Sequence, residues 1–531
     1  MAGSPGTRGD HGREPCGHGA QQARGGTAAV LVAACLSGTP ASGTPTTTTA
    51  ERAIDPRAVL RPTYACGNAE LVAAAATCGL LTAPVDYAKP AGAKLRLALA
   101  IIPATAPSEQ RLGMLVINAG GPGAPGLTWA ATMHDLLGSA IAPLYDIVGL
   151  DPRGVGASRP RLTCDPDYKR GPRPDYRPTT TASGPVSAPE KAWLAKAKAY
   201  AAACGRNYPT LLGHMTTLDN VRDIDLLRVG FGQEKLTFFG FSYGSYVGMV
   251  YATRYPTRVR RMVLDGVVDP RHVWYAAQLE QSRGLQTGIG RFWAWVAAHH
   301  AAYGLGTTAT AVRTRYAREQ DKLRRTAVGR VGPAEWNDVF LEAAYYRRTW
   351  PKVAAALKDW VAGRHAALAK RWDTQASVGV DTGTVMYLAS TCTDAAWPRT
   401  YATWRRDAFA AAADAPFETW GNVWDNAGCL TWPVRGGTAP AVGTSKVPGI
   451  LMLTAEFDGA TPYSGAREVR RRFPTSRLVL AVGDTTHTIA MTGNRCVNAR
   501  LVAYLRDGKL PARATGNRAD VGCRSNPAPS P

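Results

Sequence analysis

Residues 235–254 read KLTFFGFSYGSYVGMVYATR. The apolar run 235–242 predicts a buried strand, and residues 245–254 predict a helix directly after it. Between them stands the pattern Gly240-Phe241-Ser242-Tyr243-Gly244. In this context the glycines let the strand turn sharply into the helix, so that the serine hydroxyl is exposed above the sheet. Ser242 is therefore the predicted nucleophile. The alternative is a buried serine in a turn of small residues.

Further strands are predicted on both sides of this stretch by short apolar runs that end in Gly or Pro. These runs lie at 95–104, 113–123, 144–154, 260–267, 447–462 and 477–482. Helical patterns alternate with them, around 218–229, 464–472 and 498–506. Such alternation is typical of a mostly parallel sheet wound on both faces. The predicted fold class is therefore α/β, with a doubly wound sheet.

The region from about 275 to 430 differs, because Ala, Arg and Trp recur there at helical spacing. Since the strand pattern resumes after it, we expect an inserted helical cap over the active site. The predicted organisation has four parts. They are a leader with a Ser/Thr/Pro-rich linker at 1–50, the first part of the core at 51–270, the cap at 271–440, and the C-terminal part of the core at 441–531.

A serine hydroxyl is a weak nucleophile, so it needs a base, and that base needs a third group to fix its tautomer. On this type of sheet the order along the chain is nucleophile, acid, histidine. His487 is the sole histidine after His365 and follows the strand predicted at 477–482, so it is the predicted base. The earlier histidines of the insertion are expected to be surface or packing residues. They are His272, His299, His300 and His365.

The acid is expected at the end of the strand that precedes this histidine. Asp458 lies there, followed by a Gly-Ala-Thr-Pro turn, and it is our preferred residue. Glu456, two residues earlier, is the competing acid. Asp484 is too close in sequence to His487 for the usual geometry.

Two backbone N–H groups are expected to stabilise the developing oxyanion. By its position after the nucleophile, Tyr243 supplies one. Gly121, in the glycine-rich segment 118–123, is our choice for the other, with Gly120 next and a purely structural glycine turn as the alternative. No zinc, calcium or dinucleotide motif is present, so we expect no metal and no cofactor.

The net charge of +22 comes from basic residues spread along the chain. No nucleic-acid-binding motif accompanies them, so we expect no nucleic-acid partner and a basic surface that adheres to anionic envelopes. The N-terminus is basic, then apolar over 28–36, then small and polar, which predicts an export signal. Cys35 ends a lipobox-like run and would carry a lipid anchor, the alternative being simple cleavage, for example after Ala41. No later segment is apolar enough to span a bilayer.

Eight cysteines follow residue 50, an even number that predicts disulfides in an exported chain. Eight cysteines allow 105 connectivities, and their order offers a pairing of neighbours. That pairing joins Cys66 with Cys78, Cys164 with Cys204, Cys392 with Cys429, and Cys496 with Cys523.

Several motifs together resemble the α/β-hydrolase serine aminopeptidases, the group of prolyl iminopeptidases and secreted tripeptidyl aminopeptidases. They are APVDYAKP at 83–90, NAGGPGAPG at 118–126, DPRGVGASRP at 151–160, the stretch 240–270, and FDGATPYSGA at 457–466. The resemblance implies the α/β-hydrolase fold, peptide substrates and an extracellular location, and makes 441–531 similar to that group's C-terminal domain. Ala119 departs from the usual residue before Gly120, which favours a broader N-terminal peptidase over strict proline specificity.

The leading hypothesis is thus a secreted serine exopeptidase acting on free N-termini. An esterase or lipase is the second hypothesis, and a catalytically silent surface-binding protein the third. An aminopeptidase must recognise a protonated amine, which calls for a carboxylate in the cleft. Asp394 in STCTDAAWP is our candidate, with Trp397 lining the pocket and a helix-capping role as the alternative. Glu342 and Asp359 are expected on solvated faces.

Overall fold

The computed structural model describes residues 64–377, 380–490 and 492–531. The described strands form one ten-stranded sheet in the order β1-β2-β3-β5-β4-β6-β7-β8-β9-β10. They are β1 Tyr64–Ala65, β2 Thr77–Pro84, β3 Lys94–Ile102, β4 Met114–Asn118, β5 Asp146–Leu150, β6 Leu236–Phe241, β7 Val259–Asp265, β8 Leu451–Ala455, β9 Arg477–Val482 and β10 Val521–Arg524. The predicted leader and Cys35 lie outside the described residues.

Sixteen α-helices lie within the described residues. They are α1 Ala69–Ala73, α2 Leu127–Ile141, α3 Ala188–Asn207, α4 Thr217–Gly230, α5 Tyr243–Arg254, α6 Tyr275–Ala298, α7 His300–Tyr303, α8 Ala309–Arg325, α9 Pro333–Tyr345, α10 Trp350–Val361, α11 Ala366–Ser377, α12 Val380–Asp394, α13 Tyr401–Asp414, α14 Thr419–Asn426, α15 Tyr463–Arg472 and α16 Arg495–Asp507. No helix in the described part of the chain is both long and apolar enough to cross a membrane.

The sheet is mostly parallel, as the sequence predicts. In sheet order, every strand from β5 to β10, with β4 among them, pairs in parallel with its neighbour. The strands β1, β2 and β3 form an antiparallel edge, and β3 also pairs with β5 in antiparallel. The strand β6 is central, and its register sets Gly240 opposite Asn118 and Phe241 opposite Asp265. The carboxyl ends of β4, β6 and β7 therefore lie side by side at one end of the strands, and Ser242 directly follows the end of β6.

Both faces of the sheet are covered, which explains why the central strands read as continuous apolar runs. Side chains alternate along a strand, so Leu115 and Val116 enter different cores. One core contains the apolar faces of α4, α5 and α15, and the other those of α2 and α16. This two-sided packing is that of a doubly wound α/β sheet.

A helical layer is inserted in the chain between β7 and β8, which pair with each other in the sheet. It consists of α6 to α14 together with an earlier segment, 155–212, that carries α3. The earlier segment shares an apolar core with α12, α13 and α14, in which the rings of Trp193 and Trp424 stack at 6.0 Å between centroids. The sequence prediction placed the insertion at 271–440, whereas this layer also takes up chain between β5 and α4.

Within the described residues, four disulfides join neighbouring cysteines, in the pairing predicted from the sequence. The bonds are Cys66–Cys78, Cys164–Cys204, Cys392–Cys429 and Cys496–Cys523. Two of them brace the helical layer. Cys164–Cys204 anchors the end of α3, and Cys392–Cys429 joins the end of α12 to the turn that follows α14.

Candidate active site

Ser242 occupies the turn between β6 and α5 in a backbone conformation that a side chain rarely adopts, with φ 53° and ψ −121°. Its N–H donates to the carbonyl oxygen of Asp265 at 2.8 Å, and its own carbonyl accepts the N–H of Ser245 at 2.8 Å. Strain of this kind persists only where surrounding contacts hold it, and it is typical of functional sites. The geometry is the sharp strand-to-helix turn that the Gly-x-Ser-x-Gly pattern predicts.

The glycines on either side of Ser242 are required by packing. A Cβ at Gly240 would lie 2.2 Å from the carbonyl oxygen of Gly244. A Cβ at Gly244 would lie 2.7 Å from Oδ1 of Asn118, at the end of β4. Both distances are shorter than any van der Waals contact allows, so the turn can close against β4 only with glycine at these positions.

The structure brings His487 and Asp458 together. Nδ1 of His487 lies 2.9 Å from Oδ2 and 3.0 Å from Oδ1 of the Asp458 carboxylate. The same carboxylate accepts the N–H groups of Ala460 and Thr461, both at 2.9 Å, and the Thr461 hydroxyl at 2.9 Å. With Nδ1 of His487, four donors therefore surround the Asp458 carboxylate. The carboxylate favours the tautomer of His487 with the proton on Nδ1, which leaves Nε2 as a proton acceptor.

Opposing effects act on the pKa of His487. Burial disfavours the charged imidazolium, but the negative charge and hydrogen bond of Asp458 favour it more, and the pKa lies above its ordinary value of 6.5. A raised pKa makes the imidazole a stronger base, and the Asp458 carboxylate stabilises the imidazolium that forms when it accepts a proton.

The helical layer contacts His487 directly. The backbone N–H of His487 donates to the carbonyl of Tyr345 at 2.8 Å, and the Tyr345 ring meets the imidazole edge-on at 5.5 Å between centroids. On the other side, a Cβ at Gly266 would lie 2.8 Å from Cε1 of His487. The imidazole is therefore confined between the end of β7 and the last residue of α9.

The two competing acids are engaged elsewhere. Glu456 accepts the N–H of Gly483 at 2.7 Å. Asp484 accepts the N–H groups of Thr485 and Thr486 within its own turn. Of these three acids, Asp458 is the one whose carboxylate meets the imidazole of His487.

The segment 118–123, in which the second oxyanion donor is predicted, lies against Ser242. A Cβ at Gly120 would lie 3.1 Å from Cβ of Ser242. The N–H of Gly120 already donates to Oδ1 of Asn118 at 3.0 Å, whereas Gly121, at φ 103°, lines the same cavity as Ser242. This difference favours Gly121 over Gly120 as the donor. Tyr243 begins α5, and its side chain points away into the core, where its hydroxyl meets that of Thr217 at 2.7 Å.

A cavity of about 590 Å³ opens beside Ser242. We call it the Ser242 cavity. Its floor consists of Ser242 and the segment 121–125, and the helical layer supplies the opposite wall, with Lys169, Tyr387, Asn422 and Asp425 among its residues. A substrate bound here would lie between the sheet and the helical layer.

Asp394 is placed differently from its predicted role. It is 5% exposed, and its carboxylate accepts the N–H and hydroxyl of Thr217, at 2.7 and 2.6 Å, and the indole N–H of Trp274 at 3.2 Å. Thr217 is the first residue of α4, so Asp394 caps that helix from outside, and burial raises its pKa to about 6. Neither Asp394 nor Trp397 belongs to the described lining of the Ser242 cavity. Its position gives the amine-binding prediction no support.

Two acids with a place in the site were missed by the sequence analysis. Asp265, at the end of β7, accepts the N–H groups of Ile489 and Ala490, and Asp425, on α14, lines the Ser242 cavity. For Asp265 the available signal was an acid at a strand end next to the nucleophile strand. For Asp425 the available signal was its position four residues before Cys429, since the Cys392–Cys429 disulfide holds the end of α14 in place.

The chain is similar in sequence to a known family and to several characterised proteins. The family of the alpha/beta hydrolase fold matches residues 113–493. The chain is 39% identical over 471 residues to the tripeptidyl aminopeptidase of Streptomyces lividans, covering 86% of this chain and 84% of that protein. It is 30% identical over 462 residues both to serine protease Hip1 and to carboxylesterase B of Mycobacterium tuberculosis, covering 82% of this chain and 86% and 85% of those proteins.

Proposed function

The chain belongs to the α/β-hydrolase family, and we propose that it is a serine exopeptidase that removes short peptides from free N-termini. The observation that carries the proposal is the position of Ser242 in a cavity that the sheet and the helical layer line together. A helical layer beside the nucleophile limits the space available to a substrate, which suits a chain end better than the internal loop of a folded protein. In this proposal the helical layer is the cap of the enzyme.

In the proposed reaction Nε2 of His487 takes the proton of the Ser242 hydroxyl, whose oxygen attacks the scissile carbonyl. The negative charge that develops on the carbonyl oxygen is stabilised by the N–H groups of Gly121 and Tyr243. His487 then gives its proton to the departing amine, leaving an ester between Ser242 and the released peptide's carbonyl. A water molecule, deprotonated by the same imidazole, hydrolyses that ester and restores the serine.

An esterase is the second candidate, because one relative of 30% identity is named carboxylesterase B and the same catalytic groups can cleave either bond. A silent binding protein is disfavoured, since a strained serine, a paired imidazole and a fixed acid have no evident use without catalysis.

We also propose that the mature protein acts outside the cell. Four disulfides suit an oxidising compartment, and the basic, apolar and small-polar order of residues 1–50 suits export. Whether Cys35 carries a lipid is testable by mass spectrometry of the mature N-terminus from a native host.

The proposed function is tested with three substrates. They are a tripeptidyl p-nitroanilide with a free amine, the same compound N-acetylated, and p-nitrophenyl butyrate. An exopeptidase of the proposed kind cleaves the first with a kcat/KM at least tenfold above that for the acetylated form. Equal kcat/KM for both anilides, with faster cleavage of the butyrate, would establish the esterase instead.

A further inference from the structure

We propose that a second cavity beside the catalytic residues binds the part of the substrate that follows the scissile bond, and that Arg348 selects a carboxylate on that part. The inference rests on the proposed function and adds to it the leaving half of the substrate. The cavity measures about 520 Å³ and is lined by α2, the loop 484–492, the residues directly after α9 and the segment 526–529. We call it the α2 cavity.

The α2 cavity borders the same catalytic groups as the Ser242 cavity. Phe241 lines it and directly precedes Ser242, and the residues on either side of His487 line it as well. Tyr345 lines the Ser242 cavity, whereas Tyr346 lines the α2 cavity. The rings of these two tyrosines lie 5.5 and 6.4 Å from the imidazole of His487, measured between centroids. The imidazole is therefore a neighbour of both cavities.

The chemistry of the reaction assigns the two cavities to the two halves of the substrate. When the carbon–nitrogen bond breaks, the acyl half stays bonded to the Ser242 oxygen, with its carbonyl oxygen toward Gly121, a residue of the Ser242 cavity. The leaving nitrogen takes its proton from Nε2 of His487, so that nitrogen and the chain attached to it lie on the side of the imidazole. The acyl half therefore belongs in the Ser242 cavity and the leaving half in the α2 cavity.

One face of α2 supplies apolar side chains to this cavity. Trp129, Thr132 and Leu136 lie on that face, whereas Met133 is buried in the core. Leu136 is 40% exposed, and it is one of three large hydrophobic side chains that are exposed in the described part of the chain. The ring of Trp129 packs against that of Phe241 at 5.1 Å between centroids. Covering such apolar surface is favourable, so the cavity suits the side chains of a peptide.

Arg348 adds a positive charge to the cavity. Its neighbour Arg347 is already engaged, since it lies 3.5 Å from Oδ2 of Asp484 and donates to the Asn526 carbonyl at 2.7 Å. Arg348 is exposed, and its guanidinium lies over the ring of Tyr346, 4.3 Å from the centroid. Among the described residues it has no carboxylate partner. A guanidinium stays charged and matches the geometry of a carboxylate, so Arg348 favours an acidic leaving half.

The segment 526–529 makes the α2 cavity a preformed one. The side-chain amide of Asn526 donates to the Thr492 carbonyl at 2.9 Å, and the Pro529 carbonyl accepts the indole N–H of Trp295 at 3.1 Å. Thr492 belongs to the loop that follows His487, and Trp295 belongs to the helical layer. The segment thus links these two parts, so a substrate need not open the cavity in order to bind.

The test uses amidated hexapeptides that share one N-terminal tripeptide and carry Glu, Gln or Lys directly after it. Mass spectrometry of the released tripeptide gives kcat/KM for the wild type, Arg348→Gln and Arg313→Gln. Arg313 is the matched control, because it is also an exposed arginine of the helical layer but lines a different cavity.

We expect the wild type to cleave the Glu peptide about 3- to 10-fold more efficiently than the Gln peptide, and the Lys peptide least efficiently. Arg348→Gln should abolish the Glu preference, and Arg313→Gln should retain it. The tripeptidyl p-nitroanilide has a leaving half without a carboxylate, so its kcat/KM should stay within about twofold of the wild type in both variants.

A carboxylate on the leaving half has two sources, an acidic side chain or the C-terminus of a short peptide. Tetrapeptides made of the same tripeptide and Gln, with a free or an amidated C-terminus, distinguish them. A preference for the free terminus that Arg348→Gln removes assigns Arg348 to the chain end. A Glu preference among the hexapeptides that Arg348→Gln removes assigns it to an acidic side chain.

Two further readouts separate direct contact from an effect on folding. Salt screens exposed charges, so the carboxylate preference of the wild type should shrink when the salt concentration rises from about 0.1 M to 1 M. Leu136→Gln should raise KM for all hexapeptides by about threefold, because it removes apolar surface from the cavity. The anilide, whose leaving half is a single ring, should change by less than about twofold.

Three results would overturn the inference. They are a carboxylate preference that survives Arg348→Gln, a wild type without such a preference, and an equal loss of Arg348→Gln on peptides and anilide. Each of these leaves the proposed function standing, because that function depends on the free-amine preference among the anilides. A wild type that cleaves none of the peptides would refute the proposed function instead, so the two failures are distinguishable.

Discussion

The N–H of Ser242 donates to the carbonyl oxygen of Asp265 at 2.8 Å. The carboxylate of the same Asp265 accepts the N–H groups of Ile489 at 2.9 Å and Ala490 at 2.7 Å, in the loop that carries His487. One residue at the end of β7 therefore positions both the nucleophile and the loop of the base. Burial raises the pKa of Asp265 to about 7, which reflects how completely this carboxylate is removed from water.

We predict that Asp265→Asn weakens catalysis by disturbing the His487 loop. An amide has one acceptor oxygen where the carboxylate has two, so its NH₂ group would face a backbone N–H, and a buried donor left unsatisfied costs about 1–3 kcal/mol. Stability should fall by that amount and kcat by about tenfold or more, on peptide and ester alike. Urea unfolding and steady-state kinetics measure the two effects. Wild-type kcat in a protein of lowered stability would show that Asp265 is only structural.

The raised pKa of His487 predicts the acid side of the pH profile. Nε2 must be unprotonated to accept the serine proton, so kcat/KM for the neutral butyrate should fall as the pH drops through a value above 6.5. In Asp458→Asn the favourable charge is gone while burial remains, so the midpoint should move to lower pH, and kcat should fall on the order of 10⁴-fold. If the midpoint did not move in this variant, Asp458 would not be the group that raises the pKa of His487.

The Cys392–Cys429 disulfide should matter for substrate binding as well as for stability. Replacing both cysteines by serine should lower the free energy of unfolding by about 2–4 kcal/mol and raise KM for the free-amine anilide. The matched control is the Cys66–Cys78 pair, which joins β2 to the chain after β1 at the far edge of the sheet. Its removal should cost stability and leave KM unchanged. An equal rise of KM in both variants would argue against a local role.

Asp394→Asn should reduce stability without changing substrate preference. Its carboxylate accepts three hydrogen bonds at the start of α4, and the amide cannot accept all of them, so we expect a loss of about 1–3 kcal/mol. The ratio of kcat/KM for free and acetylated anilides should match that of the wild type. A fall of that ratio would show that Asp394 does bind the substrate amine.

The contrast between Asp394 and Asp425 shows where sequence reasoning stops. Patterns local in sequence predicted the strand-to-helix turn at Ser242 and the central strands, because each depends on residues close together in the chain. The cysteine pairing was predicted from the order of the cysteines, whose partners lie 12 to 40 residues apart. Asp394 was chosen for its nearness to a cysteine, but its partners Thr217 and Trp274 lie 177 and 120 residues away. Asp265 and Ile489 are 224 residues apart, and no local pattern joins them.

The extent of the helical layer was underestimated for a similar reason. Residues 165–187 are rich in Pro, Gly and Thr and carry no helical periodicity, so the segment before α3 gives no local signal of packing against α14. The contact between Trp193 and Trp424 exists only in the folded chain. The strands β1, β2 and β10 were not among those predicted, and each lies toward an edge of the sheet.

Covalent labelling determines whether Ser242 is the nucleophile of a hydrolase. Wild-type protein treated with a fluorophosphonate should lose its activity as one equivalent of label attaches, and peptide mapping should locate the label on Ser242. Ser242→Ala should take up no label and show no turnover on any of the three substrates, while its far-ultraviolet circular dichroism and unfolding midpoint match the wild type. Stoichiometric label on another residue, or turnover by the folded Ser242→Ala protein, would show that Ser242 is not the nucleophile.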